Sequence, residues 1–439
     1  MPNKNKLTSF INFLSGNIKY LFLFYILAQC ALLFRFPVQY ISDSGYYWKL
    51  AQDCISSHGF YPLPQHIYKD FIVAPLYINV IVLLLNIYNS TLTIGIFNII
   101  LNSLQLFLLY KITSRVLNKN AAVITALFYI LYLNNAGLVL VNLTELFYTT
   151  LILLSVYFFL NQGKYNLLLA GLFCGASIAV RPLGWALFIA YLFAIIIKHS
   201  DGMRLRNLSF ITVGLAAFII ILGSLLKTSS GYFIYSSSTG PINILMSAND
   251  KANGGFYPNI TEKGEPGYIP GGEKLNYLQK QDTLQSRAIS WIKAHPMKWI
   301  SFIPNKIVLL LKGDDIAVSR LVSPDFNYQK FLKIIKHDPS VAGNYSIGFL
   351  FGWLILWLYQ NLFYFASLIF LIFGFRKLSK NCLKNPHLKM FLIYAALGII
   401  ITLVANADVR YKYPFMFIVF ICNSFFITGL LEDSPSRNL

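Results

Sequence analysis

The stretch FPVQYISDSGYYWKLAQDCISSHG, residues 36–59, follows the first hydrophobic segment of the chain and holds an acidic residue where a helix can begin. Ser42 can cap a helix N-terminus, and Asp43 then falls in the first turn, where the helix dipole favours negative charge. Gly59 is placed to end the helix. Four apolar residues recur between them at the spacing of one helix face: Tyr47, Leu50, Ala51 and Cys54. The stretch therefore predicts a short amphipathic helix.

The composition assigns the chain to the membrane proteins. Hydrophobic residues make up 56% of its 439 residues and charged residues only 12%, whereas a soluble domain carries about 25% charged residues. The ten-residue alternation typical of an outer-membrane barrel is absent from the sequence. A net charge of +19 does not indicate nucleic acid here, because basic loops set membrane topology and contact anionic lipid. We expect an all-α polytopic protein whose 36–59 helix lies along the membrane surface, with Asp43 beside the headgroups.

Apolar segments separated by short polar loops predict about ten transmembrane helices. Lys and Arg concentrate in alternate loops, and this bias places both chain ends in the cytoplasm. Two further segments leave the count open: 76–88 is short for a span and fits a helix dipping into the interface, while 299–311 fits either a surface helix or a short span. The predicted spans are 20–34, 92–113, 121–138, 146–160, 166–180, 183–197, 208–226, one within 345–375, 390–405 and 413–430.

The same pattern divides the chain into three parts. Residues 1–226 form an N-terminal transmembrane module with a first external loop at 35–90, and residues 345–439 hold the C-terminal transmembrane helices. Between them, 227–344 is hydrophilic and too long for a simple connector, so it is either a functional cap or partly disordered.

Charged residues gather on the predicted external face, whereas the central spans are nearly free of them. Several charged side chains on one face indicate a functional site at that membrane interface. The residues concerned are Asp43, Lys69, Asp70, Glu145, Arg181, and Arg410 with Tyr411 and Asp408.

Short motifs in this order carry a resemblance to a known group of enzymes. They are DSGYY at 43–47, LA at 50–51, APLY at 74–77, LTE at 143–145, GLFCG at 171–175, RP at 181–182 and DVRYKYP at 408–414. The chain resembles the GT-C superfamily of membrane glycosyltransferases that use polyprenyl-phosphate sugars. It is most similar to the branch of protein O-mannosyltransferases and bacterial lipid A aminoarabinose transferases.

The resemblance implies a GT-C fold with an active site at the external membrane surface, beneath the long loop. It also implies a bacterial cytoplasmic membrane, with the site facing the periplasm or exterior. Asp43 matches the family's catalytic first-loop acid. One departure concerns a metal: many relatives carry two adjacent acids in this loop, whereas Ser44 follows Asp43 here. A second acid would have to be Asp70 or Glu145.

The chemistry of such a reaction assigns roles to these residues. A prenyl phosphate leaving group needs its charge neutralised, which Arg does best through paired hydrogen bonds; Lys69, Arg181 and Arg410 are the candidates. An acceptor hydroxyl loses a proton as it attacks the sugar, and Asp43 is the candidate general base. Glu145 is predicted to orient the acceptor or the base, and Asp70 and Tyr411 complete the substrate-binding set. One base with in-line attack predicts inversion.

The scheme needs no cofactor, and a divalent metal is neither required nor ruled out. The donor is a polyprenyl-phosphate sugar, the acceptor hydroxyl or phosphate belongs to a lipid, glycan or protein, and membrane lipid is a further partner, with no role for nucleic acid. Plainer interpretations stay open. In these interpretations Asp43 simply caps a helix, Glu145 caps a span or pairs with an Arg, and Arg181 marks a span end. The rival functions are a lipid-linked sugar flippase or transporter, and a non-catalytic lipid-binding relative.

Overall fold

The computed structural model describes residues 4–40, 43–69, 71–198, 201–313, 321, 326, 328–336, 338, 345–382 and 384–432. Helices dominate this part of the chain, and β-structure within it is limited to isolated bridges. The predicted all-α architecture is therefore confirmed.

The N-terminal module is a run of helices that extends to Ser230. They are α1 (Lys4–Gly16), α2 (Ile18–Arg35), α3 (Asp43–Ser56), α4 (Pro64–Lys69), α5 (Pro75–Ile87), α6 (Thr91–Val116), α7 (Lys119–Leu131), α8 (Leu133–Leu138), α9 (Thr144–Asn161), α10 (Lys164–Val180), α11 (Gly184–Lys198) and α12 (Asp201–Ser230).

The remainder holds residues 227–313, called the external segment after its predicted location, and the last long helices. They are α13 (Gly240–Met246), α14 (Tyr277–Ala294), α15 (Pro296–Ser301), α16 (Ile303–Leu311), α17 (Tyr328–Ile335), α18 (Ile347–Cys382), α19 (Pro386–Val404) and α20 (Met416–Glu432). Short 3-10 helices lie at Gly272–Lys274 and Val409–Phe415, the second leading directly into α20.

Every predicted span falls on helical structure, although 121–138 is divided between α7 and α8 and fewer than ten helices are long enough to cross a bilayer. Seven segments of the described chain meet that requirement: α2, α6, α9, Met203–Ser230, Ile347–Arg376, α19 and Val409–Leu431. The other three predicted spans are α7, α10 and α11, which are apolar but shorter. The chain is a multi-pass membrane protein, and the count of ten stays a prediction.

The two ambiguous segments form short helices. Helix α5 has 13 residues and is about 20 Å long, less than the roughly 30 Å of a bilayer core. It carries a mostly buried face and packs against α3. Helix α16 has nine residues and is shorter still. Neither is long enough to span a membrane.

Helix α3 follows the predicted pattern closely. Tyr47, Leu50, Ala51 and Cys54 are all buried, as is Ser44. The helix ends at Ser56, and the left-handed residue beyond it is His58 (φ 49°) rather than the predicted Gly59. The amide of Gly59 donates to the carbonyl of Cys54 at 2.9 Å, which closes the last turn. The predicted cap, Ser42, lies outside the described residues.

Small residues allow α10 and α12 to pack closely. A Cβ added to Gly171 would lie 2.0 Å from the carbonyl oxygen of Ile211, and one added to Gly214 would lie 2.0 Å from that of Leu168. Such backbone contact requires glycine, as at other membrane helix interfaces. The GLFCG motif therefore serves helix packing, and it leaves Arg181 just beyond the end of α10.

The external segment has a small core of its own. Buried apolar residues from α13, α14 and the intervening loop pack together: Ile242, Leu245, Met246, Ala248, Ile260, Leu284 and Ala288. The described residues of this segment through Gly313 therefore contain helices and a packed core, while its role as a functional cap stays a prediction.

Candidate active site

A cavity of about 520 Å³ lies beneath the external segment. Its polar wall combines α3, the start of α9, the turn after α10 and the 3-10 helix before α20, and it includes Asp43, Tyr46, Thr144, Arg181, Arg410 and Tyr411. Its apolar wall comes largely from α13 and the end of α19, including Ile242, Ile244, Met246, Ile400, Ile401 and Val404. The cavity therefore joins a charged wall to a hydrophobic one.

Asp43 and Arg410 form an ion pair at this cavity. The Nη1 atom of Arg410 donates to Oδ2 of Asp43 at 3.0 Å. Asp408 orients the arginine from the other side, because its Oδ1 accepts from the Arg410 amide at 2.9 Å and from Nε at 3.4 Å. The Asp43 side chain stays 43% exposed, whereas that of Arg410 is 14% exposed. The carboxylate is thus held on one side and open on the other.

Glu145 and Arg181 form a second, more deeply buried pair. Oε1 of Glu145 lies 2.8 Å from Nη2 of Arg181, and only 2% of the Glu145 side chain is exposed. The Nε atom of Arg181 donates to Oγ1 of Thr144 at 2.9 Å. Burial is the largest single effect on Arg181 and opposes its charged form, but the neighbouring groups, of which the Glu145 carboxylate contributes most, together raise the pKa of the guanidinium above its ordinary value. The pair therefore stays charged.

The two ion pairs are near enough to act on one another. Glu145 also attracts Arg410 electrostatically, although no ion pair joins the two in the described chain. Together the site holds three carboxylates, those of Asp43, Asp408 and Glu145, against the guanidiniums of Arg181 and Arg410. An anionic ligand must compete with carboxylates for these guanidinium groups.

Four of the seven predicted site residues line this cavity: Asp43, Arg181, Arg410 and Tyr411. Glu145 lies behind Arg181 and is not part of the wall. Lys69 does not join them, because it is exposed at the end of α4 and is absent from the cavity wall. Asp70 lies outside the described residues. The placement gives no support to Lys69 as a site residue.

Sequence reasoning missed the contribution of the external segment. Ser237, Thr239 and Asn243 line the cavity, as does Asn406 after α19. They are ordinary polar residues in a polar loop, so composition and spacing offered no signal that would single them out. Thr144 stood within the LTE motif but received no role of its own.

A metal site is not evident from the side chains around Asp43. No group of three or more His, Cys, Asp or Glu residues in the described chain is close enough to hold a metal ion. The neighbour of Asp43 is a guanidinium rather than a second carboxylate, which does not suit a shared cation.

Comparisons with known proteins bear on the fold. Residues 72–226 match the family described as dolichyl-phosphate-mannose-protein mannosyltransferase. Most of the chain superposes on a crystal structure of the Archaeoglobus fulgidus oligosaccharyltransferase in complex with Zn and sulfate, with a TM-score of 0.50 and 15% identity. That alignment covers 93% of this chain and 49% of the archaeal one. The chain has a GT-C-like fold. The resemblance inferred from the motifs is confirmed at the level of the fold.

A second archaeal structure gives the extent of the GT-C match. The Archaeoglobus fulgidus oligosaccharyltransferase AglB, solved with an inhibitory peptide and a dolichol-phosphate, aligns with a TM-score of 0.47 and 14% identity, over 96% of this chain and 53% of that one. This chain spans about half the length of the archaeal structures it matches. No curated protein sequence matches it.

Proposed function

We propose that this GT-C protein transfers a sugar from a polyprenyl-phosphate donor to an acceptor at the external membrane face. The observation that carries the proposal is the 3.0 Å contact between Asp43 and Arg410 at a cavity that also has a largely apolar lining. A carboxylate and a guanidinium supply the base and the anion-binding group that the reaction needs. The family match over 72–226 supports the same class of reaction.

The two walls of the cavity suit the two ends of a lipid-linked sugar. Side chains such as Ile400, Ile401 and Val404 offer apolar contact for a prenyl chain. The phosphate would meet Arg410, with Arg181 farther along the same wall, and both can donate paired hydrogen bonds. A volume of about 520 Å³ lies within the range of small-molecule sites.

The proposed reaction is a single displacement. The oxygen of the acceptor hydroxyl attacks C1 of the sugar, and its proton passes to the Asp43 carboxylate. The bond between C1 and the phosphate oxygen breaks, and the prenyl phosphate leaves with the electron pair, stabilised by the guanidiniums. Attack opposite the leaving group inverts the anomeric centre. An acceptor phosphate, already deprotonated, would attack without transferring a proton to Asp43.

The ion pair couples donor binding to the base. Without donor, Arg410 donates a hydrogen bond to Asp43 at 3.0 Å. A bound phosphate would compete with Asp43 for the same guanidinium. The released carboxylate could then accept the hydrogen bond of the acceptor hydroxyl when the donor is in place.

Glu145 has a supporting part in this proposal. Its carboxylate contacts Arg181 at 2.8 Å and does not reach the cavity wall. Glu145 is therefore proposed as a positioning residue that keeps Arg181 charged and directed, rather than as a group that contacts the acceptor. The acceptor is a lipid, a glycan or a protein, and we place the enzyme in a bacterial cytoplasmic membrane with both ends inside.

The direct test is turnover by the purified protein in lipid vesicles, using radiolabelled polyprenyl-phosphate sugars and a panel of lipid, glycan and peptide acceptors. The proposal predicts release of prenyl phosphate together with a labelled acceptor, with or without EDTA. Movement of intact donor between leaflets without cleavage would instead identify a flippase. Donor binding with neither cleavage nor movement would identify a non-catalytic relative.

A further inference from the structure

Two buried lysines outside the cavity wall connect the external segment to the stretch of chain that carries Arg410. The first is Lys306 on α16, whose side chain is fully buried. Its Nζ atom donates to the carbonyl oxygens of Leu403 at 2.7 Å and Ala405 at 2.8 Å, and to Oγ of Ser247 at 3.0 Å. These carbonyls lie at the C-terminal end of α19, where helix carbonyls lack intrahelical partners and the dipole is negative.

The second lysine caps the helix that carries the first one. Lys412 lies in the 3-10 helix Val409–Phe415 and is 5% exposed. Its Nζ atom donates to the carbonyl oxygens of Gly313 and, at 3.3 Å, Leu310. Those carbonyls lie at the C-terminal end of α16. Each lysine thus caps the helix end of the element that faces it.

The backbone around Lys306 is shaped to admit its side chain. Gly254 adopts a φ of +89°, and a Cβ there would lie 2.9 Å from Cγ of Lys306. The carbonyl of Gly254 also accepts from the amide of Ala407 at 3.1 Å. The external segment therefore meets the chain after α19 through backbone as well as side-chain contacts, and any residue larger than glycine would crowd the lysine.

A packing role alone does not account for a buried charge at this place. In the described chain no carboxylate forms an ion pair with Lys306, and burial lowers the pKa of its amine to about 8. An apolar side chain would fill the same space without that desolvation cost. What the ammonium adds is simultaneous donation to three acceptors on two different segments.

We propose that Lys306 and Lys412 form a reciprocal clasp that fixes α16 to residues 403–412 and thereby positions Arg410 against Asp43. Arg410 is two residues before Lys412 in the same 3-10 helix, and α16 packs directly on that helix. The consequence for donor binding rests on the proposed function, whereas the clasp itself does not. Both lysines are positioning residues, since neither lines the cavity.

The test is hydrogen–deuterium exchange on the full chain in lipid nanodiscs, comparing wild type with Lys306→Met, Lys412→Met and the double variant. The matched control is Lys298→Met, which removes an exposed lysine of α15 whose Nζ lies 3.5 Å from Asp250. Each single variant should speed exchange of the amides at 408–412 by about tenfold, the usual scale for a lost buried charged hydrogen bond. The control should leave them unchanged.

The double variant distinguishes a clasp from two independent helix caps, because it shows whether the effects of the two substitutions are coupled. In a clasp the second substitution adds little. The increase in exchange rate in the double variant should therefore be much smaller than the product of the increases in the two single variants. Multiplicative effects, or changes confined to the helix that carries the substituted lysine, would overturn the proposal. If Lys306→Met does not fold, Ser247→Ala removes one of the three acceptors and should give a smaller rise at the same amides.

Binding of undecaprenyl phosphate to the same variants separates this inference from the proposed function. Weaker binding by the lysine variants, with wild-type binding by Lys298→Met, is the expected result. Faster exchange at 408–412 with unchanged affinity would contradict the positioning of Arg410. A wild-type protein that binds no prenyl phosphate would contradict the proposed function, and the exchange pattern would still decide the clasp.

Discussion

The guanidinium of Arg410 lies 3.0 Å from the carboxylate of Asp43, although 367 residues separate them in the sequence. The contact joins the first external loop to the turn before the last helix, so the site exists only when both ends of the transmembrane region are assembled. It also sets a competition between Asp43 and any anion that approaches Arg410. That competition leads to a prediction that neither residue alone would suggest.

Substitutions at the two ends of this ion pair should have opposite effects on prenyl phosphate binding. Asp43→Asn removes the competing charge, so undecaprenyl phosphate should bind about three- to tenfold more tightly. Arg410→Ala removes the donor groups and should weaken binding at least about tenfold. Equilibrium binding of the labelled lipid in detergent measures both. If Asp43→Asn weakens binding as much as Arg410→Ala, phosphate does not compete with Asp43 for the guanidinium.

The Glu145–Arg181 pair should contribute to stability because it is buried. Glu145→Gln leaves a buried guanidinium without its countercharge, and the expected loss is about 2–4 kcal/mol in the free energy of unfolding. Thermal unfolding in detergent would report it as a lower midpoint. Glu262→Gln, at an exposed position, is the matched control and should change little. Adding Arg181→Gln should restore part of the loss, and a fully additive double variant would show that the two side chains do not interact.

A side chain at Gly171 should destabilise the protein, whereas a side chain at a membrane-helix glycine with open space around it should not. Gly171→Ala places a Cβ 2.0 Å from the Ile211 carbonyl oxygen and should force α10 away from α12, with a cost of about 1–3 kcal/mol. Gly352→Ala has no heavy atom within 4 Å of the new Cβ and is the control. The unfolding midpoints of the two variants in detergent provide the comparison. Equal midpoints would argue against close contact of these helices.

The buried amine of Lys306 predicts a pH dependence of stability. Burial lowers its pKa from 10.5 to about 8, so between these values the unfolded chain retains a proton that the folded chain has lost. Stability relative to Lys306→Met should therefore rise with pH from 8 to 10.5, by at most about 1.4 kcal/mol per pH unit. The gain should vanish as pH falls below 8. Parallel pH profiles for wild type and Lys306→Met would contradict the assignment.

Local features of the fold were accessible from the sequence because they depend on periodicity. The buried face of α3 follows from the spacing of Tyr47, Leu50, Ala51 and Cys54, and each predicted span marks a real helix. The span count was less secure, since apolar composition does not reveal that α7, α10 and α11 are short. The GLFCG motif was recognised, but its role in helix contact required the position of α12.

The fold brings four of the seven predicted site residues to one cavity, while their roles stay predictions. Asp43, Arg181, Arg410 and Tyr411 share one cavity, as their common predicted membrane face suggested. The partners of Arg410 could not be derived in full, because Asp408 is near in sequence whereas Asp43 is brought close only by the fold. Lys306 and Lys412 escaped notice for the same reason, since single lysines carry no periodic signal.

The most direct test of the account measures two things in one assay. They are the configuration of the anomeric carbon in the product and the dependence of the rate on Asp43. Purified wild type and Asp43→Asn would be given a polyprenyl-phosphate sugar of defined anomeric configuration and a hydroxyl acceptor identified from the panel. NMR of the product would report its configuration, and label transfer would report the rate. The account predicts an inverted product from wild type and a rate at least about a hundredfold lower for Asp43→Asn. Retained configuration, or an Asp43→Asn rate equal to wild type, would contradict it.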